Sequence, residues 1–331
     1  YRLKEFEIGT ELKFFENRLG LDVSYFRRQT NGEIISASIS NASGFLTQTL
    51  NLGATRNSGV EVVLNGTPIQ TKSFTWNAAF NITKVKNMVL DIDGSENPAP
   101  INLTAYRPGN GNVAIVKGLP MAQIMAYDYK RDDKGNVIIG DNGIPERGDL
   151  QPMGSALPDV FGGLNNDFAY KNFNLSFLID FKYNGKILSA TNYYSIVDGL
   201  NKMTLDGRET GVVAPGVKAD GTQNATNVAA YNYYPLLAQN ISALSVLDGS
   251  FIKLRQVTFG YTFPTEWFSH TPFQSIAISL VGRNLWNIMK RTPNIDPEAG
   301  FSSDIKAAGL ESGNLPAVRT YGVNVNFKFK K

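Results

Sequence analysis

Between Phe173 and Lys182 the residues alternate. Phe173, Leu175, Phe177, Ile179 and Phe181 are interleaved with Asn174, Ser176, Asp180 and Lys182, and only Leu178 breaks the rule. A period of two turns one face greasy and the other wet, which is the signature of a β-strand and not of a helix. With this run included, the pattern occurs nine times along the chain. It runs through 5–14, through Leu21, Val23 and Tyr25, and through Val60, Val62 and Leu64. Phe74, Trp76, Ala78, Phe80 and Ile82 continue it. In the second half it occupies "GGLNNDFAY", "FNLSFLIDFKYNG", "FIKLRQVTFGYTF", "FQSIAISLVGRNLW" and the closing "TYGVNVNFKFK". Most of these runs cover 9–13 residues. Globular strands average ~5–6 residues, whereas a tilted strand crossing a bilayer needs about 9–11.

Connections between the strands alternate in length. "ENRLG", 66–73, "KN" and 264–272 are short, while 27–47, 88–157, 186–250 and 288–317 are long. Short turns at one rim and long loops at the other, with a polar side and an apolar side along every strand, is the outer-membrane barrel pattern. A soluble sandwich with its apolar face inward shares the alternation but usually has shorter strands and balanced loops. Taking short turns as one rim, the strand directions agree only if 88–157 crosses an even number of times. The candidate extra strands are 123–130 and 136–139, so the count is either nine or eleven. Both are odd, while single-chain bacterial barrels have even counts. Open sheet edges in lipid leave backbone groups unpaired. Further strands are therefore expected outside this sequence.

The composition excludes several functions. Thirty-one Gly, 14 Tyr and 20 Phe suit a turn-rich β fold. A net charge of +3 leaves no broad nucleic-acid footprint. Without cysteine there are no disulfides and no thiolate metal sites. No apolar run reaches the ~18 residues of a transmembrane helix. The sequence begins at Tyr1, directly before a strand pattern, and is expected to be a piece of a longer polypeptide.

Seven stretches in order carry a resemblance: "EFEIGTELKFFENRLGLDVSYF", "RNSGVEVVLNGTPI", "FTWNAAFNITKVKN", "LPDVFGGLNNDFAYKNFNLSFLIDF", "DGSFIKLRQVTFGYTFP", "GRNLW" and "NIDPEAG". Together they resemble the C-terminal barrel half of SusC/RagA-like TonB-dependent transporters of Bacteroidetes outer membranes. The resemblance implies an all-β, transmembrane antiparallel β-barrel of about 22 strands, of which residues 1–331 form the C-terminal portion. It implies a plug domain, the N-terminal strands and a TonB box outside this chain. Its implied partners are a SusD-like surface lipoprotein, the TonB complex, outer-membrane lipid and a glycan or peptide cargo. No cofactor and no enzymatic activity are expected.

Candidate sites are few. The loop 186–250 holds Tyr193, Tyr194, Tyr231, Tyr233 and Tyr234, whose rings are able to stack on a cargo while their hydroxyls hydrogen-bond. The competing reading packs them within the loop or at the membrane boundary. "NYYSIVDGLNKM" is expected to form a short helix there. "DIDGSE" (91–96) and "DDKGN" (132–136) are oxygen-rich, but neither fits a calcium loop, and both read more simply as solvated turns. His270 is the single histidine and has no zinc-ligand companions. "GNGNVAIVKG" departs too far from a phosphate loop. Glu5, Glu7 and Glu11 line the wet side of one strand. Asn284 is placed to tie down a loop. Trp76, Tyr261, Trp267, Trp286 and Tyr321 suit a boundary belt. Three function classes remain: an active outer-membrane importer, a passive porin-like channel, and a soluble surface glycan-binding β protein.

Overall fold

The computed structural model describes residues 1–38, 47–106, 110–300, 302 and 304–330. In chain order its strands and helices are β1 (Arg2–Phe14), β2 (Leu19–Ser38), β3 (Thr47–Gln70), β4 (Phe74–Asp91), β5 (Ile101–Tyr106), β6 (Gly111–Ile115), β7 (Gln123–Tyr129) and β8 (Arg147–Ser155). There follow β9 (Val160–Tyr170), β10 (Phe173–Tyr183), β11 (Lys186–Ser189), α1 (Ala190–Val197), β12 (Val212–Val213), β13 (Asn227–Val228) and α2 (Ala230–Asn240). The chain ends with β14 (Val246–Asp248), β15 (Phe251–Thr262), β16 (Phe273–Lys290), β17 (Leu310–Glu311) and β18 (Thr320–Phe329).

Nine strands form one sheet in the order β1-β2-β3-β4-β9-β10-β15-β16-β18, all antiparallel to their neighbours. These are the nine alternating runs of the sequence. Residues 88–157 add none to the wall, because β4 pairs directly with β9 and β5–β8 form a separate four-stranded sheet. The stretch 123–130 is a strand, but of that second sheet. Among the described residues the outermost strands β1 and β18 do not pair with each other, so the wall is open on both edges.

Register carries the physics. Residues opposite one another on neighbouring strands point to the same side. One row reads Leu12, Leu21, Leu64, Phe80, Leu164, Ile179, Leu254 and Trp286 across eight strands. A second reads Trp76, Phe168, Leu175, Phe259, Leu280 and Val323. The alternate rows are wet, as in Asn174, Gly260, Ser279 and Asn324. Among the described residues nothing covers the greasy rows. Val323 is 66% exposed, Leu280 57% and Phe327 50%. Rings tile this outer side, with Trp76 stacked on Phe168 at 5.7 Å and Phe168 on Phe177 at 6.0 Å. Where β9 must pass under a ring, glycine is required: a Cβ on Gly162 would collide with the Asn81 carbonyl and the Phe181 ring.

The strands are longer than the alternation suggested. β2 runs 20 residues and β3 24, so much of 27–47, expected as a loop, continues the wall. The "NAS" triplet at 41–43 lies outside the described residues. Such strands are roughly twice as long as a tilted bilayer crossing needs.

The hydrophobic cores belong to the long connections and not to the wall. One joins α1, α2 and the 137–144 turn, with Ile139, Ile144, Ile196, Tyr233, Tyr234, Leu237 and Ile241 buried. A second joins β6, β7, β11 and β17 through Val113, Ile124, Leu188 and Leu310. A third seats β5 and β6 on the upper end of β4 through Val89, Ile101 and Ile115. The long loops thus fold together into a cap at one rim.

Candidate functional site

On the wet side of the wall, two opposed irregularities build a charged clasp. The ladder between β15 and β16 shifts register between Leu254 and Gln256, which leaves Arg255 as a bulge residue. Across from it Asn284 has φ 52°, in the left-handed region that asparagine tolerates. Arg255 donates to Asp180 Oδ2 at 2.5 and 3.1 Å and forks onto both carboxylate oxygens of Glu298 at 2.9 and 3.0 Å. Lys253 Nζ, on the next inward position, donates to Asp296 Oδ1 at 2.8 Å and Glu298 Oε2 at 2.7 Å. The Lys253 side chain is 4% exposed and that of Asp296 6%. Asp296 also accepts the backbone N–H groups of Glu298 and Ala317. Asn284 donates to the Val318 carbonyl at 3.1 Å, tying down the loop as expected.

The effect is a strap. The described residues of 291–319 leave β16, turn back along the wet face and are pinned there by buried charge before β18 begins. At its far end Glu311 is fully buried and accepts from Ser189 and Thr191, beside the first turn of α1. A carboxylate suits that position, since the first N–H groups of a helix are unpaired and carry its positive end. The strap therefore links the wall to the cap.

Lys253 and Arg255 act on Asp296 and Glu298 in opposition to burial. Desolvation raises both carboxyl pKa values, yet the cations and backbone donors outweigh it and hold both below their usual range. Groups depressed in the folded state add stability above the unfolded pKa and lose it as pH falls through the folded one. Hydrogen exchange of the strap amides is therefore expected to stay slow from pH 7 to 5. It should quicken only below the ordinary carboxylate range of about 4; loosening already at pH 6 would contradict the clasp.

The five tyrosines do not act alike. Tyr233 and Tyr234 are buried on the inner face of α2, edge-to-face at 5.2 Å. Burial pushes the Tyr233 phenol up to about 12. The Tyr234 hydroxyl donates to the Asp206 carbonyl at 2.9 Å. Tyr193 packs against the same core from α1, and Tyr194 beside it is exposed. Tyr231 is exposed at the lip of a recess of about 530 Å³, shared with Tyr234, Asp198, Arg208 and Glu209. The helix expected over 192–203 is met in its first half by α1, which ends at Val197, while a turn and the 3-10 helix Lys202–Leu205 take the rest. The sequence reading missed α2, although Ala230, Tyr233, Tyr234, Leu237, Ala238 and Ile241 have helical spacing.

Comparison with known proteins fits this geometry. The family described as "TonB dependent receptor-like, beta-barrel" matches residues 1–114. The whole chain is similar to TonB-dependent receptor P3 of Formosa agariphila, 25% identical over 98% of this chain and 34% of that protein. It is also similar to TonB-dependent receptor SusC of Bacteroides thetaiotaomicron, 23% identical over 97% of this chain and 31% of that one. In fold it resembles the RagAB peptide importer in its closed-closed state, with TM-score 0.73 and 19% identity, covering 98% of this chain and 35% of the other. The chain spans about a third of the length of the relatives it matches. The sheet, its register and its SusC/RagA-like resemblance thus agree.

The other candidates in this receptor-like chain are structural. Asp132 Oδ1 accepts the N–H groups of Lys134 and Asn136, and Oδ2 accepts from the Asn136 side chain. The Asn136 bond leads the causes that lower the Asp132 carboxyl below its usual range. Asp91 likewise caps its own turn and pairs with Lys117 at 3.4 Å. Among the described residues, no group of three or more His, Asp or Glu side chains could hold a metal ion. His270 is exposed in the short turn that follows the 3-10 helix Thr265–Phe268. The central residues of "GNGNVAIVKG" form the buried strand β6. Glu11 is bridged to Lys13 at 2.9 Å on the exposed strand β1.

Proposed function

We propose that this chain is the C-terminal part of the barrel of an outer-membrane TonB-dependent importer of large nutrients, oligosaccharides or peptides. The greasy rows face lipid tails, the wet rows line a passage, and the capped rim faces the cell exterior. One observation carries the reading: a continuous aliphatic and aromatic face, eight strands wide, that no other part of the described residues covers. Exposed apolar surface on that scale requires a partner, and alternation along such long strands makes lipid the fitting one. The remaining strands, the plug and the TonB-contacting segment belong to sequence outside 1–331. A SusD-like lipoprotein would seat on the cap and hand cargo to the passage. The plug would gate that passage, with TonB supplying the work. Tyr194 and Tyr231, with Tyr193, Tyr233 and Tyr234 behind them, offer rings to cargo at the cap.

A strain deleted for the full-length gene is expected to lose growth on at least one glycan or peptide of a panel while growing normally on glucose. The protein should be recovered in detergent-extracted outer membranes. Growth unchanged on every nutrient would sink the importer. Recovery without detergent would favour the soluble alternative.

A further inference from the structure

On the wet face Phe26 lies over Gly59, where no side chain fits, but a second ring has no such seat. Phe161 on β9 lies opposite Thr83 on β4 and Lys182 on β10, and so points to the wet side. Phe74, Phe80, Phe168, Phe177, Phe181 and Phe259 stack with other rings on the greasy side. Among the described residues no ring stacks on Phe161, which is 37% exposed. In the same inward row Phe251 is buried and has Lys253 5.1 Å from its ring centre, so it has a structural role that Phe161 lacks.

Phe161 belongs to a cavity of about 610 Å³ under the overhang of the cap. Asn57, Asn87 and Phe161 come from the wall, Pro120 and Leu157 from the overhang, and Asp159 from the approach to β9. The amide pair is fixed: Asn87 Nδ2 donates to Asn57 Oδ1 at 2.6 Å, and Asn87 Oδ1 accepts the Met121 N–H. Asp159 Oδ1 is held by Asn184 at 2.8 Å. The volume is that of a ligand pocket, about 300–1,000 Å³. A flat apolar floor and polar groups held at the margins match a pyranose ring, whose C–H face is apolar and whose edge carries hydroxyls. Among the described residues Asn57 Nδ2 and Asp159 Oδ2 have no hydrogen-bond partner, and sugar hydroxyls would supply one where an aromatic peptide side chain would not.

We propose that Phe161 is the stacking floor of a glycan subsite in the passage wall, a reading that rests on the importer proposal above and names its cargo class. The test uses the full-length protein purified in detergent. Neutral oligosaccharides from glucan, xylan and mannan, and a set of short peptides with and without Phe, are titrated calorimetrically. Phe161→Leu keeps apolar bulk without a flat face, and Phe161→Trp keeps a ring, so both should assemble. For a glycan that the wild type binds, Phe161→Leu should weaken binding by about tenfold and Phe161→Trp by no more than about threefold. Growth on that glycan should fall in the same order, with outer-membrane levels unchanged. Equal binding by Phe161→Leu and wild type would overturn the subsite while leaving the importer intact. Binding of peptides alone would overturn the sugar assignment. A deletion strain indifferent to every nutrient would remove the importer, and the subsite with it.

Discussion

Lys253→Met should free the 291–319 strap from the wet face while the wall still assembles. The substitution removes the one ammonium that Asp296 and Glu298 share, at 2.8 and 2.7 Å. Asp296 would then be an ionised carboxylate buried without a cation, since Arg255 reaches Glu298 and Asp180 but not Asp296. Stranding one member of a buried ion pair costs about 3–5 kcal/mol. The strap has little core of its own there to absorb that loss. Hydrogen exchange of residues 293–300 in the purified full-length protein is the measurement, and protection should drop by the corresponding two to four orders of magnitude. Lys182→Met is the control. Its ammonium sits 4.0 Å from Glu298 and is half exposed, a geometry worth ~0–1 kcal/mol. Similar protection in the Lys253 variant and the wild type would mean that packing alone fixes the strap.

This clasp marks where the sequence stopped being legible. Each wall strand could be read because period-two patterning is local, and a run such as Val323, Val325, Phe327 declares its own geometry. Parity even narrowed the strand count to nine or eleven, and direct pairing of β4 with β9 chooses nine. The clasp is not local. Lys253 and Glu298 are 45 residues apart, and nothing in "FIKLRQ" or "NIDPEAG" states that they meet. The bulge that delivers Arg255 inward adds one residue to an otherwise regular alternation, so pattern counting passes over it. The cap fared likewise. Its tyrosines looked alike in sequence, yet helical spacing turned Tyr233 and Tyr234 into the core and left Tyr231 outside. Phe161 was hidden for the opposite reason. In "VFGGLNNDFAY" it reads as one more greasy residue, and only its partners Thr83 and Lys182 reveal the side it occupies.

Ile278→Lys and Val325→Lys are expected to destabilise or block assembly of the wall, whereas Ser279→Lys and Asn324→Lys are expected to be tolerated. The four positions form two adjacent cross-strand pairs on β16 and β18, Ile278 with Val325 and Ser279 with Asn324. They share strands, depth to within one residue and sheet environment, and differ in the face they take. If lipid tails touch the greasy face, a lysine near the midplane costs about 2–4 kcal/mol, while the wet face accepts it at little cost. If the greasy face met water, a lysine at Ile278 or Val325 would be an ordinary surface change of within about ±0.5 kcal/mol. Those expectations differ by more than the error of a denaturant titration. Folding of the full-length protein into lipid vesicles, followed against urea, measures them directly, and outer-membrane abundance of each variant gives the cellular counterpart. Position along the strand supplies a second discriminant. A membrane predicts that the penalty for lysine shrinks from Ile278 toward the rim residues Trp267 and Trp286, because headgroups and water replace hydrocarbon there. A protein layer packed on this face would instead penalise every greasy position by its own packing, with no dependence on height.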